Sequence, residues 1–413
     1  MINLENNQIS FVLITLAYWF FMLTDGALRM IVLLHFHILG FTPLQLAYLF
    51  LLYEFLGMIT NLTAGWIAKR FGLNKTLFAG IILQTLSLLI LSQVNQSWNI
   101  PYLVTFVMFT QGLSGIAKDL TKMSAKSSVK LLSPDQNSKL FKWVSLLTGS
   151  KNAVKGLGFL FGALLLSYTS FYISLVIMAI LLSTIFIIVL LSLNTDIGSI
   201  NKKSKFTDIF SKNKNINYLS LGRVFLFGSR DTWFVVGLPI FLYSALSDGS
   251  LEGNKKAFFI IGSFMAAWTI FYGFVQTITP KILIKDKLFS TQIKIWAGLL
   301  CLIPILLVAL NYYLKEYSVY NVMFLLFIFG FVFAINSSIH SFLILNYTNK
   351  DRVTLDVGFY YMSNAFGRLI GTLLSGLAFE YGGLTTCLLV TSVLLLLNSL
   401  SIEKINLANV KFN

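Results

Sequence analysis

An acid and a base lie one helical turn apart in the first long apolar stretch of the chain. Asp25 and Arg29 are four residues apart in the run Y-W-F-F-M-L-T-D-G-A-L-R-M. Four residues is just over one turn, so both side chains share one helix face. A lone charge at the centre of a bilayer costs about 2.5–3.5 kcal/mol on insertion scales, so such residues usually face a protein interior or a wet cavity. The pair predicts either an ion pair that locks helix packing or a site for a charged substrate.

Further ionisable residues fall inside other apolar stretches of the chain. Bases outnumber acids there, once residues near a cytoplasmic end that can extend to the interface are discounted, namely Lys142, Arg223 and Asp356. An excess of buried cations suits an anionic substrate, because buried cations are otherwise unpaired. We therefore predict substrate binding by Arg29, Lys151, Lys155, Arg230 and Arg368, with Asp25, Glu54 and Asp231 forming charge pairs or carrying protons.

Two of these arginines give the most specific hypothesis about substrate binding. The guanidinium of arginine is a planar fork of donors that matches phosphate-like oxyanions bidentately, so Arg29 and Arg230 predict a substrate held between two forks. The alternative is that Arg230 pairs with Asp231 or Glu54 and only holds the helices together. Glu54 has no oppositely charged neighbour in its own helix, which makes it the leading candidate for a proton carrier. Lys151 and Lys155 form either a second anion contact or a contact with lipid headgroups.

The composition places the chain in a membrane. Of its 413 residues, 56% are hydrophobic and only 11% are charged, whereas soluble domains carry about 25% charged residues. Twelve stretches reach the roughly 20 apolar residues needed to span a bilayer, from residues 11–34 to residues 383–401. The net charge of +15 could suggest nucleic acid, but the basic residues lie in short loops between apolar runs. The sequence therefore predicts an all-α membrane protein with 12 transmembrane helices and no nucleic-acid partner.

The loops predict orientation and domain division. Lys and Arg concentrate in alternate loops, and the intervening loops hold only Lys255, Lys256 and Lys315. By the positive-inside rule both termini are cytoplasmic. A Lys-rich stretch at 194–217 divides two pseudo-symmetric six-helix halves, 1–193 and 218–413. Lysines at 118, 122, 126 and 130 predict either an anchor at the anionic leaflet or a funnel for anions. The N-terminus lacks the features of a signal peptide, so the first helix is expected to be retained.

Several kinds of site have no sequence support. The two cysteines, Cys301 and Cys387, lie inside apolar runs, and no spacing of His, Cys and carboxylates is typical of a metal site. We therefore expect no metal and no cofactor. An enzyme would be expected to show a nucleophile with its base or a ligand cluster, and none is evident. A membrane-embedded enzyme or a non-transporting subunit remains the alternative of a different class.

The layout and one motif resemble the major facilitator transporters over the full length of the chain. The stretch G-W-I-A-K-R-F-G-L-N-K at 65–75 is similar to their loop signature G-x-x-x-D-R-x-G-R-R/K. Gly65, Arg70 and Gly72 match and are predicted to form the gating loop, whereas Lys69 replaces the expected acid. The resemblance implies alternating access between two related halves. It also implies that the first helix of each half lines a central cavity, so that Arg29 and Arg230 approach from opposite sides.

A narrower resemblance rests on stretches in both halves. D-G-A-L-R-M at 25–30, T-G-S-K-N-A at 148–153 and R-D-T-W-F-V-V-G-L-P at 230–239 resemble the organoarsenical efflux permeases of the ArsJ type. The resemblance implies export of 1-arseno-3-phosphoglycerate, which a partner glyceraldehyde-3-phosphate dehydrogenase makes from arsenate. We expect a monomeric antiporter in the bacterial inner membrane that couples export to proton entry and gives arsenic resistance. The alternative is an exchanger or importer of another organic phosphate-type anion.

Overall fold

The computed structural model describes residues 2–132, 137–193, 213–283, 289–314, 319–348 and 353–405. Every regular element in these ranges is a helix, which confirms the all-α prediction. The helices are α1 (Ile2–Ile38), α2 (Pro43–Phe71), α3 (Leu73–Leu91), α4 (Ile100–Leu132), α5 (Asn137–Tyr168), α6 (Phe171–Ser192), α7 (Lys214–Phe234), α8 (Gly237–Leu246), α9 (Leu251–Ile282), α10 (Phe289–Leu314), α11 (Val319–Tyr347) and α12 (Val353–Glu403).

Ten stretches of the described chain are long and apolar enough to cross a bilayer. One of them, Asp356–Glu403, has 48 residues, and a straight helix of that length would be about 72 Å long. A hydrocarbon core is only about 30 Å thick. The stretch breaks at Gly382 and Gly383, where Gly383 has φ +61°. The predicted count of twelve spans stays a prediction, because α5 is not among the ten.

A second break separates α7 from α8 and is stabilised by a side chain of α12. Pro239 lies in the first turn of α8 and has no N–H to continue the hydrogen bonding of α7. The N–H groups of Val236 and Gly237, at the start of α8, each donate to Ser375 Oγ at 3.1 Å. Buried backbone donors are costly when unpaired, so this serine makes the break tolerable inside an apolar environment.

The described residues group into two compact units. The first unit takes its described residues from Met1–His35, Leu52–Phe206 and Phe258–Ile270, and the second from Phe36–Leu51, Thr207–Ala257 and Phe271–Asn413. The part of α1 that carries Asp25 belongs to the first unit, and α7, which carries Asp231, belongs to the second. The domain boundaries at 193 and 218 stay a prediction.

Glycines of α5 bring α1 close in the first unit. A Cβ added to Gly158 would collide with the carbonyl oxygen of Leu23, and one added to Gly162 would collide with that of Ala27. The same holds in the reverse direction for Gly26 against the carbonyl of Lys155. The Gly-x-x-x-Gly pattern of α5 is therefore a helix contact of the kind known to let membrane helices approach closely.

The second unit repeats this contact between α12 and α7. A Cβ on Gly367 would collide with the carbonyl oxygen of Val224, and one on Gly371 would meet that of Gly228 at 2.5 Å. In both units a glycine pair on a later helix thus holds the first helix at short range. This brings the backbone close enough for short side chains on facing helices to meet.

We expect the Gly158→Ala protein to be destabilised by about 1–3 kcal/mol, because the added methyl overpacks the contact with α1. Gly298→Ala is the matched control, since a Cβ there meets nothing within 4 Å. Alanine at such a helical position should be neutral or stabilising by about 0.5–1 kcal/mol. Thermal unfolding of the detergent-purified proteins measures both. Equal midpoints for the two variants would contradict the close contact.

Candidate functional site

In the first unit, Asp25 lies at the junction of α1, α2 and α5. Lys155 Nζ lies 2.6 Å from Asp25 Oδ2, and the hydroxyl of Tyr53 donates to Asp25 Oδ1 at 2.5 Å. Asp25 is buried, whereas 17% of the Lys155 side chain is exposed. Both carboxylate oxygens therefore have a donor, and the cation of the pair is the partner nearer to open space.

Arg29 pairs with a different helix from Asp25. Its Nη2 atom lies 2.6 Å from Glu54 Oε1 on α2, and both side chains are buried. The guanidinium also lies 5.2 Å from the ring centre of Tyr53. Asp25 and Arg29 share a helix face as the spacing predicted, but each reaches its own partner. Glu54 has a buried cationic partner, although none lies in its own helix.

In the second unit, Asp231 is shared by two arginines. Arg230 reaches Asp231 Oδ1 with Nη2 at 2.5 Å and Nε at 2.6 Å. Arg368 on α12 reaches the other oxygen, Oδ2, with Nε at 3.2 Å. Asp231 is buried, while 14% of the Arg230 side chain and 17% of the Arg368 side chain are exposed. This cluster carries more positive than negative charge.

The units share one feature at these sites. In the first unit, Asp25 of α1 pairs with Lys155 of α5, and the glycines of α5 contact α1. In the second unit, Asp231 of α7 pairs with Arg368 of α12, and the glycines of α12 contact α7. Lys151 lies one turn before Lys155 on α5 and is partly exposed. Arg29, Lys155, Arg230 and Arg368 each reach one of the three predicted acids.

The predicted gating loop is largely helical. Gly65 and Arg70 lie in the last turns of α2, which ends at Phe71. Gly72 is the one residue between α2 and α3 and has φ +92°, a conformation that favours glycine. Its N–H donates to the carbonyl of Ala68 at 3.0 Å. The gating role of these residues stays a prediction.

Sequence reasoning missed a charged cluster on α4. The helix α4 buries Asp119, which was not among the predicted acids. Lys122 Nζ lies 2.8 Å from Asp119 Oδ1 and donates to Asn61 Oδ1 at 2.6 Å. Lys118 lies 4.1 Å from the ring centre of Tyr53. The i, i+3 spacing of Asp119 and Lys122 was the available signal for this cluster.

Two residues expected at the interface are buried instead. Arg223 is 5% exposed and Asp356 is 3% exposed. Thr348 Oγ1 donates to Asp356 Oδ2 at 2.9 Å, and Arg223 extends to α11 and α12. Judging these residues by their distance from the end of an apolar run was wrong, because that distance does not show which way a side chain points. Within the described ranges, no group of three or more His, Cys, Asp and Glu residues could hold a metal ion.

Apolar helices that carry buried ion pairs are typical of membrane transporters. The family model of the Major Facilitator Superfamily matches residues 14–343, and the chain belongs to that superfamily.

Solved structures support the same fold. A POT family transporter in complex with 5-aminolevulinic acid matches with a TM-score of 0.72 at 16% identity, covering 95% of each chain. A POT family transporter in complex with a thioalcohol-conjugated peptide matches with a TM-score of 0.71 at 16% identity, covering 94% of each chain. No curated protein sequence matches significantly. At this identity the likeness shows the fold alone.

The Arg29–Glu54 pair predicts strong non-additivity. Arg29→Met alone or Glu54→Met alone leaves a buried charge without its partner, so each should destabilise the protein by about 3–5 kcal/mol. The double variant removes both charges and should recover most of that loss. Thermal unfolding of the purified single and double variants checks this. Additive losses in the double variant would show that the two side chains are not energetically coupled.

Proposed function

We propose that this major facilitator transporter exports the anionic organoarsenical 1-arseno-3-phosphoglycerate by alternating access and so gives arsenate resistance. The observation that carries the proposal is the sharing of buried Asp231 by two partly exposed arginines. A cluster with more positive than negative charge attracts an anion, and its water-poor surroundings strengthen that attraction. The resemblance to the ArsJ-type permeases supplies the particular substrate.

An oxyanion can bind this cluster by taking over donors that now serve Asp231. Arg230 directs two donors at a single carboxylate oxygen, and Arg368 directs one donor at the other. Phosphate and arsenate groups present several oxygens, and arginine forks match them bidentately. Lys155 and Arg29 hold Asp25 and Glu54 in the same manner in the first unit. All four bases are thus bound to acids that a substrate can replace.

The membrane potential supplies one driving force for export. An interior that is negative by 100 mV expels each negative charge with about 2.3 kcal/mol, and an arseno-phosphate ester carries several. Proton entry through Asp25, Glu54 or Asp231 is the predicted additional coupling. The dehydrogenase partner acts by making the ester in the cytoplasm, without a stable complex. We propose a monomer in the bacterial inner membrane with both termini cytoplasmic.

A second candidate function is proton-coupled uptake of another organic phosphate-type anion, and the sharing of Asp231 favours it. When an anion takes the arginines, the buried carboxylate loses its cations, and its neutral, protonated form becomes favoured. Proton and anion then bind together and cross together. When binding of the anion raises the affinity for the proton, the two are transported in the same direction. Antiport requires instead that binding of one lowers the affinity for the other.

Arsenate tolerance tests the export proposal. An arsenate-sensitive bacterium without its own efflux systems should tolerate arsenate when it expresses this chain together with glyceraldehyde-3-phosphate dehydrogenase, and not with either alone. Arg230→Ala and Arg29→Ala should abolish the tolerance, because each removes a donor fork for the anion. Growth at graded arsenate concentrations is the measurement.

Lys256→Ala is the control for the tolerance assay, since that lysine is exposed. The variant removes one positive charge without changing any of the buried ion pairs described above, and it should preserve tolerance. Membrane levels of every variant are compared by immunoblot. Absence of tolerance in all combinations, despite normal membrane levels, would overturn arseno-ester export.

A pH gradient separates the two candidate functions. Proteoliposomes are loaded or bathed with labelled 3-phosphoglycerate, a stable analogue of the ester. Uptake stimulated by an acidic interior indicates proton antiport and hence export, and uptake stimulated by an acidic exterior indicates cotransport. In both cases Asp231→Asn should remove the effect of the gradient while exchange of labelled for unlabelled anion continues. An unchanged gradient effect in Asp231→Asn would exclude this residue from coupling.

A further inference from the structure

Arg223 is a buried guanidinium that meets no carboxylate among the residues that the structure describes. It lies on α7 two turns before Arg230 and is 5% exposed. The bases at Arg29, Lys155, Arg230 and Arg368 each reach an acid within 3.2 Å. A buried charge without a counter-ion is costly. Arg223 therefore differs from these four bases, because its described partners include no carboxylate.

Neutral acceptors bind part of the Arg223 guanidinium. Nε donates to Asn364 Oδ1 at 3.1 Å. Nη1 donates to the carbonyl and to the hydroxyl oxygen of Ser337, both at 3.1 Å. Nη2 donates no hydrogen bond to a described residue. Two of the five N–H donors of arginine are therefore left over on one edge of the group.

Two aromatic rings fix the orientation of this guanidinium. Its central carbon lies 4.0 Å from the ring centre of Phe227 and 4.9 Å from that of Tyr360. Contacts with ring faces stabilise a cation and restrict it without using its N–H groups. The donors thus remain available for a planar or tetrahedral acceptor, and little rotational freedom is lost when one binds.

Three donor groups converge on the hydroxyl oxygen of Ser337. Arg223 Nη1, the hydroxyl of Tyr272 at 3.2 Å and Nε2 of Gln276 at 3.3 Å all approach Ser337 Oγ. A hydroxyl oxygen has two lone pairs and cannot accept from three donors at once. Gln276 Nε2 also donates to the hydroxyl of Tyr272 at 2.7 Å. The cluster is rich in donors and positively charged, which is the complement of an oxyanion.

We propose that Arg223, Tyr272 and Gln276 form an oxyanion-binding subsite for the phosphate or carboxylate group of the transported substrate, with Asn364 positioning Arg223. The proposal rests on the proposed function, anion transport. An oxyanion accepts from Nη2 of Arg223 and takes over donors that compete for Ser337 Oγ. Residues from α7, α9, α11 and α12 meet here, so anion binding links four helices of the second unit.

Binding to purified full-length protein in lipid nanodiscs tests this subsite. The probes are 3-phosphoglycerate, inorganic phosphate and glycerate, with uncharged glycerol as the blank, and calorimetry gives each Kd. Arg223→Gln should raise the Kd for 3-phosphoglycerate by about tenfold or more, because a charge-assisted hydrogen bond is lost. Tyr272→Phe and Gln276→Leu should raise it by several-fold. Lys281→Ala, at an exposed lysine of α9, should leave it within about twofold.

The variants also separate binding from folding. Tyr272→Phe removes one oxygen and keeps the ring, so it reports on binding even if Arg223→Gln does not fold. A comparison of glycerate with inorganic phosphate shows which oxyanion the subsite takes, since the variant effect should appear only for the group bound there.

Two results would overturn the subsite in distinguishable ways. If wild type binds 3-phosphoglycerate and Tyr272→Phe and Gln276→Leu bind it with unchanged Kd, the Arg223 cluster only supports the helices, and anion transport stands. If wild type neither binds nor transports any of the anions, the proposed function fails and the subsite fails with it.

Discussion

The ion pair between the first helix of each unit and a later helix is the interaction on which the candidate site depends. Asp25 meets Lys155, and Asp231 meets Arg368. Lys155 lies one turn before Gly158, and Arg368 follows Gly367, so each base stands beside the glycines that let the helices touch. Close approach brings the acid within reach, and the pair in turn neutralises charges that a membrane helix tolerates poorly. Packing and electrostatics therefore specify the same helix contact in both units.

Buried pairs of this kind are better suited to switching than to stability. Replacing a buried ion pair by apolar side chains of similar volume is often neutral or stabilising, because desolvation offsets most of the attraction. Losing one partner, in contrast, is severe. Partners can therefore be exchanged at modest cost only if a new counter-ion arrives as the old one leaves. The proposed mechanism meets this condition, because the anion binds Arg230 and Arg368 while a proton neutralises Asp231.

The sequence was sufficient to predict the helical class and the superfamily. Hydropathy and one-turn spacing encode these features locally. The ion-pair partners were not predictable from the sequence, because they lie on other helices and depend on the tertiary packing. Asp25 and Arg29 share a face and yet reach α5 and α2 respectively. Arg223 was misjudged because its position near the end of an apolar run was taken to mean that its side chain reaches the interface, although the side chain is buried.

The two arginine environments of α7 suit different tasks. An anion at Arg230 must compete with Asp231, which already holds Arg230 and Arg368, so its binding is linked to the protonation of that carboxylate. At Arg223 the described competitors are neutral, namely the amide of Asn364 and the carbonyl and hydroxyl of Ser337. An anion gains more by displacing neutral acceptors than by displacing a carboxylate. In the proposed mechanism, affinity is favoured at Arg223 and coupling at Asp231, eight residues apart on one helix.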